Sequence, residues 1–100
     1  MQGPEPSGHW TAAGHGGAFK HLTPGHQYQV TRDFTDFDGA DHRSGERWTF
    51  LGHTFLPYDD GLSLFVSVDG HAEWHIRLQW RPDQQRAVIE ALNGYIREVI

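Results

Sequence analysis

The chain contains no cysteine. This excludes disulfide staples, thiolate zinc sites, iron–sulfur ligation and a cysteine nucleophile, so the fold rests on packing alone. Cations are also scarce, with 8 Lys and Arg residues against 13 Asp and Glu and a net charge of −5. Nucleic-acid binding, which replaces phosphate counterions with Lys and Arg, is therefore not expected. No cationic N-terminal patch leads into an apolar run. The longest apolar stretches fall far short of the roughly 18 to 20 residues of a membrane span. A soluble, cytoplasmic protein without membrane contact is expected, and the oligomeric state is left open.

What the chain does have is aromatic residues, with 4 Trp, 3 Tyr and 6 Phe in 100 residues. A domain this short buries only about two thirds of its unfolded surface, and each aromatic adds roughly 150 to 250 Å² to a modest core. The acidic residues cluster as well. Asp33, Asp36, Asp38, Asp41, Glu46, Asp59 and Asp60 lie close in sequence, with only Arg43 and Arg47 among them.

Residues 1–18 hold glycines and prolines without an apolar period, the composition of a flexible tail, and residues 19–100 are expected to form one globular domain. Trp10 is an isolated aromatic in that tail. Thr23-Pro24-Gly25 marks a turn, after which Tyr28 and Val30 alternate with polar neighbours and predict a strand over 27–33. A second strand begins near Glu46, with Trp48 and Phe50 on one face, and Gly52 breaks its period as a bulge or bend does. Pro57 to Gly61 reads as a turn.

Leu62, Leu64, Val66 and Val68, then Trp74, Ile76, Leu78 and Trp80, alternate as two half-buried strands. A two-residue turn at Asp69-Gly70 would set Glu73 opposite Val66 among core positions, so parity demands an odd loop. The reading is a three-residue loop, Val68-Asp69-Gly70, pairing Leu64 with Trp74 and Leu62 with Ile76. Pro82 and Asp83 suit a helix start, and Val88, Leu92, Tyr95, Ile96 and Val99 form one apolar stripe running to the C-terminus.

The strings Gly45-Glu46-Arg47-Trp48-Thr49-Phe50 and Pro57-Tyr58-Asp59-Asp60-Gly61-Leu62, set between DFTDFDG and EWHIRLQWRP, resemble a small bacterial family known as a domain of unknown function. The resemblance spans residues 22–96 and implies no activity or catalytic residue. The spacing Leu22, Gly25, Tyr28, Val30 also looks like the opening strand of SH3-like barrels, an analogy of fold alone. The expected architecture is α+β: a small bent antiparallel sheet or SH3-like barrel of four or five strands with one C-terminal amphipathic helix. Its core is expected from Tyr28, Val30, Trp48, Phe50, Leu62, Leu64, Val66, Trp74, Ile76, Leu78, Leu92 and Ile96.

Asp36, Asp38, Asp41 and His42 fall in one loop where carboxylate oxygens can surround a hard cation, but an EF-hand order would need Gly, not Asp41, at the sixth position. His71 and His75 are four apart, which on a strand separates them by about 13 Å, too far for one zinc ion. No cofactor is expected. The preferred expectation is a noncatalytic module binding a protein or peptide, with positive charge favoured, through Tyr58, Asp59, Asp60, Phe65, His75 and Arg77, because exposed aromatics and Arg carry interface energy. The alternative is a small metal-dependent or acid–base enzyme using Asp36, Asp38 and Asp41.

Overall fold

The computed structural model of the chain describes residues 1–11 and 17–99. Strand β1 is Gln2–Glu5, β2 is Gln27–Val30, and the short β3, Phe34–Thr35, pairs with β4, Asp41–His42, as a two-stranded ribbon. A long β5, Arg47–Leu56, leads through a 3-10 turn at Pro57–Asp59 to β6, Gly61–Ser67, and then β7, Glu73–Gln79. Helices α1, Arg86–Glu90, and α2, Leu92–Tyr95, precede a last strand β8, Ile96–Glu98. Among the described residues the sheet runs β1-β7-β6-β5-β2-β8, with each neighbouring pair antiparallel.

Alternation builds the core as the sequence implies. Tyr28, Val30, Trp48, Phe50, Leu62, Leu64, Val66, Ile76, Leu78 and Ile96 form one sheet face, and Val88, Ile89 and Leu92 cover it. Trp74 packs at its margin, partly buried. Each large apolar side chain buried this way contributes about 1.5–3 kcal/mol. Tyr28 also satisfies its phenol inside the core, accepting the Thr23 N–H at 2.7 Å and donating to the His21 carbonyl at 3.0 Å.

The break at Gly52 is a β-bulge. Phe50 pairs with Val66 and Gly52 with Phe65, so Leu51 is the extra residue. Beyond it the faces exchange, and His53 and Phe55 lie opposite Leu64 and Leu62.

The expected barrel and the expected single helix need correction. Among the described residues the sheet is not a closed SH3-like barrel of four or five strands: β1 and β8 are its two unjoined edges, and six strands take part. The single C-terminal helix is instead two short helices and a strand. β2 offers unpaired backbone groups at its open edge, and β8 satisfies them, pairing Tyr28 with Glu98 and Val30 with Ile96. The Thr31 N–H donates to the Tyr95 carbonyl and the Val99 N–H to the Gln27 carbonyl, extending the ladder. The β-branched Ile96 and Val99 suit this extended backbone, so tertiary pairing overrides the helical stripe. Ile100, the last residue of the expected helix, lies outside the described residues.

The hairpin loop holds five residues, Val68 to Ala72, and pairs Leu64 with Ile76, Leu62 with Leu78 and Val66 with Trp74. The odd parity is right, but the register is displaced by two from Leu64 opposite Trp74. Side chains fix the wider loop: Asp69 Oδ1 accepts the N–H groups of His71 and Ala72, and Ser67 Oγ accepts that of Gly70.

Residues 1–11, expected as part of a flexible tail, contain β1, which lies along β7 with Gln2 opposite His75 and Glu5 opposite Glu73. Their composition carries no sign of this, because the groups that hold them belong to β7. Residues 12–16 of the expected tail lie outside the described residues. No described helix is long and apolar enough to cross a membrane.

Candidate functional site

The acidic loop closes on itself through Asp36. Its Oδ1 accepts the N–H groups of Asp38 and Ala40, both at 3.0 Å, while Gly39 at φ +86° supplies the left-handed backbone that the turn requires. Asp36 Oδ2 accepts from His42 Nε2 at 2.7 Å and from the Met1 amino group at 2.6 Å. On the other side His42 Nδ1 donates to Glu46 Oε2 at 2.7 Å, and the Trp48 indole N–H donates to the same oxygen at 3.1 Å.

With an acceptor carboxylate at each ring nitrogen, His42 is held as an imidazolium. Burial alone would lower its pKa, but the bonds to Glu46 and Asp36 and their charges raise it above the ordinary 6.5. Burial would likewise raise the Asp36 carboxyl, yet the amino group, His42 and the Ala40 N–H hold it below 3.8.

The four proposed metal-binding residues therefore do not converge on one point. Asp36 and His42 bond to each other, Asp38 faces Arg77, and Asp41 accepts from the Thr35 hydroxyl. Among the described residues no group of three or more ligating side chains is placed to hold a metal ion. His42 borders a hollow of about 180 Å³ with Asp33, Phe34, Thr35, Asp41 and Arg43. With both nitrogens engaged and the side chain 1% exposed, it has no lone pair to offer as a base.

A larger cleft, about 400 Å³, opens on the sheet face opposite the core. β7 supplies His75, Arg77 and Gln79 at alternate positions, β6 supplies Ser63, and the ends of β5 and the 3-10 turn supply Leu56 and Asp59. The ribbon loop closes one side: Arg77 makes a two-pronged pair with Asp38, at 2.6 and 3.1 Å, and its guanidinium lies 5.3 Å from the centre of the Phe37 ring. Arg81, also on the lining, pairs with Asp60 at 3.6 Å.

Two polar atoms here are buried without a hydrogen-bond partner among the described residues, His75 Nε2 and Gln79 Oε1. Burial lowers the His75 pKa to about 4, helped by the Arg77 charge, so its imidazole is neutral at physiological pH.

Of the residues proposed for binding, Asp59, His75 and Arg77 come together in this cleft. Phe65 is 3% exposed beside His75, their rings 5.0 Å apart. It is covered by Trp10, so it is no open contact. Tyr58 is fully exposed and Asp60 ends the 3-10 turn at φ +50°, both next to the cleft without lining it. Sequence reasoning misses Phe37, Leu56, Ser63, Gln79 and Arg81. Parity alone places Ser63 and Gln79 on the face of His75 and Arg77, whereas Leu56 reaches that face only through the bulge.

The fold and these sites define a small α+β domain with a polar-lined cleft on one sheet face. The chain belongs to the family Domain of unknown function (DUF3601), whose description matches residues 16–100. It is similar to a solved integron cassette protein from the mobile metagenome of Vibrio cholerae, with 35% identity and a TM-score of 0.75 over 79% of this chain and 87% of that one. No functionally curated protein matches.

Proposed function

We propose that the chain is a noncatalytic binding module that takes a protein or peptide segment in the cleft beside β7. The observation that carries this reading is the gathering of Arg77, His75 and Asp59 with Phe37 and Leu56 around one cleft whose buried His75 Nε2 and Gln79 Oε1 have no described partner. Unpaired buried polar atoms cost about 1–3 kcal/mol each, and a ligand whose entry turns these side chains far enough to bond them recovers that cost. Phe37 and Leu56 are both exposed and supply apolar walls. Such walls are what interface anchors use. Arg77 and Arg81 are already neutralised by Asp38 and Asp60, so Asp59 is the rim charge left for a partner, and it favours a cation.

The test is selection of displayed peptides on the immobilised protein, followed by calorimetric affinities for wild type and Leu56→Asp. Selected peptides should join a Lys or Arg to an apolar residue, and Leu56→Asp should weaken them about tenfold, or about 1.4 kcal/mol. Peptides that bind both proteins equally would reject the cleft.

A further inference from the structure

The outer edge of β7 bears a second arrangement, which shares His75 with the cleft. Glu73 is a carboxylate only 2% exposed, and its described bonds all come from one short segment: the Gly8 N–H at 2.7 Å, the Trp10 N–H at 2.9 Å and the Thr11 hydroxyl at 2.5 Å. Beside it, Trp10 stacks on Phe65, with 6.1 Å between ring centres and 20° between planes, and leans on His75 at 5.4 Å. β1 adds backbone pairing along β7. The approach is close, for a Cβ on Gly3, at φ +129°, would stand 2.7 Å from the Glu73 carbonyl oxygen.

A strand edge, a buried acceptor for backbone N–H groups and a ring platform are the parts from which strand-addition sites are made: main-chain bonds give affinity and a side-chain pocket gives selectivity. Phe65, Glu73 and His75 lie within the family match, and residues 1–11 lie outside it. We infer that the outer edge of β7 is a binding site for an extended peptide segment carrying one aromatic side chain, and that residues 1–11 fill it in cis. The Glu73 charge selects for N–H donors and against acidic residues at the turn that reaches it. A segment tethered through a short linker competes at an effective concentration of about a millimolar, so a free peptide enters only when the tethered one is loosened.

The test uses a fluorescein-labelled peptide of residues 1–11 and the full chain, read by anisotropy. Gly3→Val with Trp10→Ala in the full chain should bind this peptide at least about tenfold more tightly than wild type. The same peptide with Ala in place of Trp10 should bind that variant about tenfold more weakly. Leu56→Asp should change neither value, which separates this edge from the cleft. Equal affinity of the two proteins for the peptide, or of the two peptides for the variant, overturns the inference. If the double variant melts, Trp10→Ala alone carries the test, with an expected gain of about threefold and no gain as the refuting result.

Discussion

Replacing His42 with Leu should be among the most damaging single changes in this domain. His42 and Asp36 are 1% and 0% exposed, so the substitution sets a methyl group against Asp36 Oδ2 and leaves the Met1 amino group and two backbone N–H groups as its remaining donors. Removing one partner of a buried pair costs about 3–5 kcal/mol. The Met1 amino group still compensates the Asp36 charge, and the Glu46 half of the cluster is less deeply buried and partly screened, which places the expected loss near the lower end. At about 4–8 °C per kcal/mol for a domain of this size, a loss of about 3 kcal/mol lowers the melting temperature by about 12–24 °C.

The pH dependence has a definite sign. The folded-state pKa of His42 is raised, so its contribution is complete below 6.5 and is lost as pH rises through the folded value. That of Asp36 is lowered, so its contribution is present above 3.8 and is lost as pH falls through the folded value. The cluster is strongest between those limits. Circular dichroism melts of wild type and His42→Leu should thus differ most between pH 3.8 and 6.5, with the gap narrowing as pH rises above that window. A gap of only a few degrees, or one that widens with pH, would refute the ionised-cluster reasoning.

Tyr28→Phe leaves the part-buried Thr23 N–H without its phenol acceptor and the His21 carbonyl without its donor. The variant should lose about 1–2 kcal/mol of stability in urea, and an unchanged midpoint would show that another acceptor replaces the phenol. The lowered pKa of His75 gives stability that is full above 6.5 and declines as pH falls towards about 4. His75→Gln should abolish that part of the acid titration, as measured by denaturant midpoints, and an identical decline in both proteins would contradict it. Leu56 is already more than half exposed. Leu56→Asp should therefore leave stability within about 0.5 kcal/mol, and a larger loss would mean that Leu56 supports the fold.

The core is legible in the sequence because alternation has a single physical cause. A pleat with one buried face must write apolar residues at every second position, and Leu62 to Val66 and Trp74 to Leu78 do so. Loop length is less legible: parity excludes even loops, but the choice between three and five residues depends on Asp69 and Ser67 bonding to backbone beyond their own turn. Glu73 shows the same limit. Its parity places it correctly off the core face, yet that face is covered at this point by a segment more than sixty residues away in sequence. The C-terminal stripe misleads because Ile96 and Val99 fit the helix period by spacing while their β-branched side chains also suit extended backbone, and the free edge of β2 decides between them. In the acidic loop, Asp36 and His42 stand out in the sequence, but Glu46, which binds His42, lies just before the next strand, and Trp48, which binds Glu46, lies within it.

The bulge at Leu51 has a consequence for how related sequences are compared. Because Leu51 alone has no cross-strand partner between Phe50–Val66 and Gly52–Phe65, deleting that one codon would preserve the pairing on both sides and chiefly reduce the local twist. A chain lacking Leu51 should keep the same interstrand nuclear Overhauser contacts, and losing them would show that the bulge residue is needed to aim the strand. An alignment gap at this position would then record a change of curvature within an unchanged core.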